Sequence, residues 1–296
     1  MSVNPARPSI GLTMLLMALA LLLVGVGCSS GAASPTNVTV VLLPTPIPTP
    51  VKVPILMYHH VAPTAPSDQM QFNLTVTTTD FCQQLDYLKN SGYATMTLAD
   101  LFDILYRGAP LPGKPVILTF DDGYVDAFTD AFPLLQAYGF KGTFAVVTGF
   151  VEKPGYLTWD QIRTMATAGM EFAAHTVTHI DLNTSSDDTV KQQLKASKQS
   201  LEERLGEPVD FFVYPSGEPF RSGPKGRQQA VIGLLREAGY VGALLAGPYS
   251  LTQDPQHPFE LNRVRVSGGE SLAGFAASIG GPAPASTAAN CPAAGR

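Results

Sequence analysis

Short apolar runs alternate with helical patterns along most of the chain, and this alternation constrains the fold more than any other feature of the sequence. The predicted strands are residues 55–58, 116–120, 143–147, 170–174, 211–214, 239–244 and 263–266. The predicted helices are residues 80–91, 98–107, 125–138, 159–168, 187–205 and 227–238. Such alternation indicates mainly parallel strands joined by right-handed crossovers. Periodicity alone leaves open whether the sheet is open or closed into a barrel.

Two adjacent carboxylates, Asp121 and Asp122, directly follow one of these strands. Side chains alternate along a strand, so both can reach one pocket only if the backbone turns where the strand ends. An ionised Asp is seldom buried unless it is paired or binds a metal. The pair therefore indicates a site in which one carboxylate binds a metal and the other transfers a proton.

His175 and His179 follow another predicted strand and supply further metal ligands. Residues four apart in a strand are separated by about 13 Å, too far to bind one ion. In a helical turn their Cβ atoms are about 5–6 Å apart, so we expect the chain to leave the strand and curl there. Two imidazoles and one carboxylate with an open position are typical of a catalytic zinc site. The alternative is an Asp-Asp turn and two unrelated surface histidines.

These motifs resemble those of the polysaccharide deacetylases of carbohydrate esterase family 4, the NodB-homology domain, over most of residues 53–268. The matching motifs are Thr119-Phe120-Asp121-Asp122-Gly123, His175-Thr176-Val177-Thr178-His179 and, more loosely, Tyr214-Pro215-Ser216-Gly217. Residues 54–61, 156–160 and 262–266 resemble the anchored bacterial branch of the family. The resemblance implies an α/β fold, a distorted (β/α) barrel of about seven mainly parallel strands. Barrel enzymes carry their chemistry at the carboxyl ends of the strands, where these motifs fall.

The resemblance also assigns roles. Asp122, His175 and His179 match the family's metal ligands, for Zn²⁺ or alternatively Co²⁺ or Ni²⁺, and Asp121 matches its general base. The backbone N–H of Ser216 matches the donor to the oxyanion.

Two departures from the family pattern leave roles to be filled. Many members carry an Arg that pairs with the base, but Val213 occupies that position, so Arg263 or Arg265 of the last strand is expected instead, with Arg263 favoured. A late His that acts as the general acid is missing from residues 261–266. His59, at the end of the first strand, is the candidate acid, and a structural histidine is the alternative.

Three aromatic residues are candidates for binding the sugar. Tyr214 lies in the third motif, and Tyr124 lies beside the base. Trp159 begins a predicted helix after a loop, and a core anchor is an equally good interpretation of it.

The sequence predicts an N-terminal anchor, one folded domain and a C-terminal tail. Residues 1–28 combine Arg7, an apolar stretch from 10 to 27 and a lipobox-like Cys28, although Gly25 stands where Leu is usual. We expect a lipoprotein signal with lipidation at Cys28, or else an uncleaved membrane anchor or an ordinary secretory signal. A Pro/Thr/Ser-rich linker (29–51), the deacetylase-like domain (52–278) and a disordered tail (279–296) follow. Cys82 is predicted to be a buried free thiol, with a bridge to Cys291 as the less favoured alternative.

Composition narrows the function further. The net charge of −5 and the 15% of charged residues argue against nucleic-acid binding. The leading hypothesis is an exported, membrane-anchored hydrolase that removes N-acetyl groups from N-acetylglucosamine residues of a polysaccharide. The alternatives are an acetylxylan O-deacetylase and a degenerate glycan-binding module, although a pure binder has no need of the base Asp121. The sequence makes no prediction of oligomeric state.

Overall fold

The computed structural model describes residues 49–247, 250–285 and 291, which fall within one compact unit. The predicted anchor, the lipidation site Cys28 and most of the linker lie outside the described residues. Among the helices that are described, none combines the length and the hydropathy needed to cross a bilayer.

Besides the short strand Ala94–Thr95, which pairs in parallel with Pro115–Phe120, seven parallel strands form the central sheet, as the alternation and the resemblance predict. They are β1 (Ile55–Tyr58), β2 (Pro115–Phe120), β3 (Thr143–Val146), β4 (Glu171–Ala174), β5 (Phe211–Val213), β6 (Gly242–Leu244) and β7 (Val264–Arg265). Their order across the sheet is β6-β5-β4-β3-β2-β1-β7, and every pairing is parallel. The first and last of these seven strands therefore lie side by side.

The two edges of this sheet are joined by the segment that leads into β7. Leu261 forms a parallel bridge with Leu244 of β6, and its backbone exchanges hydrogen bonds with Ala243 and Leu245. β6 and β7 are the opposite edges of the sheet, and Leu261 lies just before β7. The bridge from Leu261 to β6 therefore brings the two edges together, and the sheet curls into the distorted barrel that the resemblance implies.

Helices pack around this barrel. They are α1 (Gln69–Leu74), α2 (Thr78–Asn90), α3 (Leu98–Arg107), α4 (Phe132–Tyr138), α5 (Trp159–Thr167), α6 (Asp187–Leu205), α7 (Lys225–Glu237) and α8 (Leu272–Ser278). The predicted helix at 125–138 is interrupted, because residues Ala127–Ala131 form a π-helical turn before α4 begins. Helices α1 and α8 are not predicted from the sequence.

Alternation along the strands divides the core in two. Ile55, Ile117, Ala145, Ala173 and Val213 belong to an inner cluster, against which α3 packs Leu101 and Phe102. The residues between them, such as Leu56 and Leu118, belong to a larger cluster shared with the outer helices. Both faces of each strand are thus buried, as expected of a parallel sheet covered by helices.

A disulfide corrects the prediction of a free thiol at Cys82. Its sulfur is bonded to that of Cys291, and the two Cα atoms are 5.8 Å apart. The start of the tail also makes ordered contacts, because the Tyr87 hydroxyl donates to the carbonyl of Pro282 at 2.7 Å and Ile279 is buried. The sequence offered this pairing only as the less favoured alternative, because it depends on the path of the tail back across α2.

Candidate active site

Strand alternation places three polar side chains on the inner face of the barrel. Residues an even number of positions apart along a strand share a face. His59, Asp121 and His175 are an even number of positions from Ile55, Ile117 and Ala173, respectively, and these three apolar residues belong to the inner cluster. Their backbones extend the ladder, since Asp121 N donates to Tyr58 O and His175 N donates to Val146 O. All three therefore converge at the carboxyl end of the barrel, as predicted.

Asp121 and Arg263 form a buried, bidentate ion pair at the bottom of this site. Arg263 Nη1 donates to Asp121 Oδ1 at 2.7 Å, and Nη2 donates to Oδ2 at 2.9 Å. The guanidinium, which is fully buried, also donates to Thr119 Oγ1 and to Leu245 O. Burial raises the pKa of Asp121, but the charge and hydrogen bonds of Arg263 lower it more, so the net pKa lies below its usual value. The weakly favoured Arg263 is thus the residue that contacts the proposed base.

Asp122, His175 and His179 bring three ligand atoms together next to this pair. The Asp122 Oδ1 atom lies 3.3 Å from His175 Nε2 and 3.4 Å from His179 Nε2, and all three atoms lie within 4.8 Å of one another. Asp122 reaches the cluster because its backbone turns into the left-handed region, with φ of 74°. This is the turn at the strand end that the adjacent carboxylates require.

The donor set suits a divalent ion such as zinc. Two imidazole nitrogens and one carboxylate oxygen are the ligands of a catalytic site that keeps a position open. His175 Nδ1 lies 2.7 Å from the carbonyl oxygen of Val213, so this nitrogen carries the proton and Nε2 faces the cluster with its lone pair. These three residues would bind the ion, and the hydrogen bond to Val213 would fix the ring of His175.

The pKa shifts in the cluster follow from burial and proximity. Burial raises the pKa of Asp122, but the neighbouring histidines lower it more, and it lies far below its usual value. Burial lowers the pKa of His175, but Asp122 and Asp121 raise it above its usual value. His179 has a lowered pKa because of burial and the charge of His175. Asp122 is therefore ionised at neutral pH, as a metal-binding carboxylate must be.

The turn between the two histidines is not helical. Residues 175–180 form a bend, in which Thr176 has φ of 64° and His179 has φ of 56°. The prediction that the chain leaves the strand and curls is confirmed, but two left-handed residues bring the rings together rather than one turn of helix. The ring centroids are 4.9 Å apart.

His59 lies on the other side of Asp121 and lines the same cleft. Burial lowers the pKa of its imidazole, Asp121 and Asp122 oppose this shift, and Arg263 and Arg265 reinforce it. The Nδ1 atom is buried and has no hydrogen-bond partner within the described part of the chain. His60 points away and contacts Asp126, with Nδ1 2.6 Å from Oδ2.

The third motif follows β5 as a short 3₁₀ turn, Pro215–Gly217. Ser216 is exposed in the cleft with φ of 55°, and its role as the oxyanion donor stays a prediction. Tyr214 also lines the cleft, but its ring is buried and its hydroxyl donates to Phe259 O at 3.0 Å. The hydroxyl of Tyr214 therefore donates its hydrogen bond within the core rather than to a sugar.

The other two aromatic candidates are not among the described residues that line the cleft. Tyr124 stacks between His60, at 3.7 Å between centroids, and Tyr156, at 5.2 Å. Burial and the nearby Asp122 raise the pKa of its hydroxyl. Trp159 packs against the core with the Arg204 guanidinium over its ring, which favours the core-anchor interpretation. A role for either in sugar binding stays a prediction.

The cleft has a volume of about 850 Å³, and its rim includes residues that the sequence analysis missed. Gln69, Met70 and Asn73 of α1 line it, and Met70 is 66% exposed. Arg265 and Arg221 also line it. A signal was present in the sequence, because the connection between β1 and α2 is much longer than the 2–6 residues common in such loops.

Comparison with known proteins identifies the class of enzyme to which this fold and site belong. The family model "Polysaccharide deacetylase" matches residues 108–242. The structure of the Streptococcus pyogenes deacetylase PplD, in complex with acetate, superposes with a TM-score of 0.69 at 30% identity, covering 78% of this chain and 99% of that one. The chain belongs to the polysaccharide deacetylase family.

Two further relatives give the range of the family. The putative polysaccharide deacetylase YxkH of Bacillus subtilis is 29% identical over 228 residues, which is 77% of this chain and 76% of that protein. The poly-β-1,6-N-acetyl-D-glucosamine N-deacetylase of Escherichia coli is 31% identical over 137 residues, 41% of this chain. The matched part spans only 20% of that longer enzyme.

Proposed function

We propose that this polysaccharide deacetylase is a divalent-metal-dependent hydrolase that removes N-acetyl groups from N-acetylglucosamine-type residues of an extracellular or cell-wall polysaccharide. One observation carries the proposal: the buried Asp121–Arg263 pair lies beside the Asp122–His175–His179 cluster at the bottom of one cleft. A base and a cation site are thus placed within reach of the same substrate group.

Bound at Asp122, His175 and His179, a divalent ion would supply positive charge that makes a nearby water more acidic and polarises a carbonyl. Asp121 accepts the proton of the attacking water. Each carboxylate oxygen has two lone pairs, so an oxygen that already accepts a hydrogen bond from Arg263 can still accept this proton. Arg263 keeps the carboxylate ionised and oriented toward the cleft.

Two further residues act on the carbonyl oxygen and on the leaving nitrogen of the substrate. The backbone N–H of Ser216 donates to the oxygen on which negative charge develops. His59 donates a proton to the leaving nitrogen, because an amine leaves only when it is protonated. An acid in this position favours an amide over an ester as the substrate, since an alcohol is the better leaving group and needs protonation less.

The relatives support a glycan substrate. They include the Escherichia coli poly-β-1,6-N-acetyl-D-glucosamine deacetylase and a peptidoglycan-N-acetylglucosamine deacetylase of Bacillus cereus. PplD was solved with acetate, the product that such a reaction releases. The N-terminal segment with Cys28 and the Cys82–Cys291 disulfide support export from the reducing cytoplasm, with anchoring at a membrane as part of the proposal.

A screen for acetate release tests the proposal. The purified protein, stripped with chelator and reloaded with Zn²⁺ or Co²⁺, is incubated with N-acetylglucosamine oligomers, poly-N-acetylglucosamine, peptidoglycan and acetylxylan. We expect release from the N-acetylated glycans only when metal is present, and none from the Asp121→Asn variant. Release from acetylxylan alone would indicate the O-deacetylase instead. Binding without release from any glycan would indicate a degenerate module.

A further inference from the structure

Gln193 contacts the turn between the two metal-binding histidines, although it lies on α6. Its Oε1 atom accepts hydrogen bonds from the backbone N–H groups of Val177, at 2.8 Å, and Thr178, at 3.0 Å. Since both partners are donors, the shared atom is the amide oxygen and not the nitrogen. The side chain therefore binds the middle of the turn with one atom.

This turn needs support from outside. Thr176 and His179, at its two ends, have left-handed backbones, which residues other than glycine rarely adopt. Such a conformation persists only where surrounding contacts over-determine it. Within the turn, only the hydrogen bond from His179 N to Thr176 Oγ1, at 2.9 Å, spans its length.

The opposite side of the turn is bound by the loop after β3. Thr148 N donates to Thr176 O at 3.1 Å, and Gly149 N donates to Val177 O at 2.8 Å. A Cβ atom on Gly149 would lie 2.4 Å from Val177 O, so only glycine permits this approach. The carbonyls of the turn are thus bound from β3, and its amides are bound from α6.

The two histidines depend on the turn to different degrees. His175 is fixed independently by the strand ladder at its N–H and by Val213 at its Nδ1. His179 is 31% exposed and lies at the far end of the turn. Displacement of the turn would therefore move His179 away from Asp122 and leave His175 in place.

We infer that Gln193 is a positioning residue for the metal site, which fixes the turn so that His179 Nε2 stays within reach of Asp122. The inference rests on the proposed function in that it takes the Asp122–His175–His179 cluster to bind an ion. Removing a group that holds a metal ligand in place lowers metal affinity by roughly 10–100-fold.

The chain offers a matched control one position away. Gln192 lies on the same helix, is exposed, and makes no side-chain hydrogen bond to any residue that the structure describes. Gln192→Leu therefore changes helix propensity and side-chain polarity as Gln193→Leu does, without touching the turn.

The test measures Co²⁺ binding to the full chain by visible absorption. We expect Gln193→Leu to weaken Co²⁺ binding by roughly 10–100-fold and to change the absorption spectrum, and Gln192→Leu to do neither. Gln193→Glu should bind within a few fold of wild type, because a carboxylate oxygen also accepts two N–H bonds. Hydrogen exchange of the metal-free protein should be faster at Val177 and Thr178 in Gln193→Leu than in wild type. Gln193→Ser, whose side chain is too short to reach the turn, should reproduce the effects if the leucine variant does not fold.

Unchanged Co²⁺ affinity and unchanged exchange at Val177 and Thr178 in Gln193→Leu would overturn the inference. Equal weakening in Gln192→Leu would overturn it as well, because it would indicate a general effect on the helix. If wild type bound no Co²⁺, the proposed function would fail, and the exchange rates would still decide whether Gln193 fixes the turn.

Discussion

Replacing Arg263 by Met tests whether this guanidinium compensates the buried charge of Asp121. Arg263 is fully buried, and its side chain donates two hydrogen bonds to Asp121 and one each to Thr119 and Leu245. Removing one partner of a buried ion pair costs about 3–5 kcal/mol, because the other charge is left uncompensated. We expect Arg263→Met to lower the free energy of unfolding by about 3–5 kcal/mol at neutral pH, measured by urea denaturation in the presence of EDTA.

The loss should depend on pH in a definite direction. In wild type the pKa of Asp121 lies below 3.8, so the pair contributes stability above 3.8 and loses it as pH falls through the lowered pKa. In the variant only the weaker effects of His59 and His175 oppose burial, and we expect the pKa of Asp121 to rise above 3.8. Between 3.8 and that raised pKa the folded variant holds a proton that the unfolded chain lacks. Its stability there should fall by up to about 1.4 kcal/mol per unit rise in pH.

Arg265→Met is the control for this experiment. Arg265 lies two residues after Arg263, in β7, but it is half-buried and makes no hydrogen bond or ion pair with any residue in the described ranges. We expect it to change stability by about 0.5 kcal/mol or less. Equal losses in the two variants, or a loss in Arg263→Met that is the same at every pH from about 4 to neutrality, would refute the argument.

Three further predictions concern the roles of individual residues. Asp121→Asn should retain metal but lose turnover by about 10²–10⁴-fold, whereas His179→Ala should lose metal. Metal analysis after dialysis measures the difference, and equal metal loss in both variants would contradict the division of roles. His59→Ala should slow acetamido substrates more than activated acetate esters, whose leaving groups need little protonation; an equal effect on kcat for both would assign the acid elsewhere. Cys291→Ser should lower the free energy of unfolding by about 2–4 kcal/mol, and dithiothreitol should destabilise wild type but not this variant.

Local periodicity predicted the parallel sheet and the centre of the site, and the family resemblance predicted that the sheet closes into a barrel. Polar residues just beyond apolar strands, at Asp121 and His175, had to meet at one end of a parallel sheet. The parity of the last strand also brought Arg263 into consideration, since positions two apart share a face. The register that places β7 beside β1 then decided that Arg263 reaches Asp121.

Other parts of the molecule could not be predicted, because they depend on contacts between distant segments. The Cys82–Cys291 bond depends on the path of the tail, which carries no periodic pattern. Gln193 is one of many polar residues on α6 until the fold brings the histidine turn against that helix. Trp159 was ambiguous for the same reason, since the stacking of Arg204 on its ring is set by the packing of α5 on α6.

Arg263 lies far along the chain from Asp121, the carboxylate with which it pairs. The residues that would bind the ion follow β2 and β4, which are separated in the sheet only by β3, whereas the partner of the base lies 142 residues after it and next to β7. The proposed ion ligands therefore lie within the first 179 residues, whereas the counter-ion of the carboxylate beside them comes from a much later segment. Asp121 therefore gains this counter-ion only when the segment that leads into β7 docks beside β1.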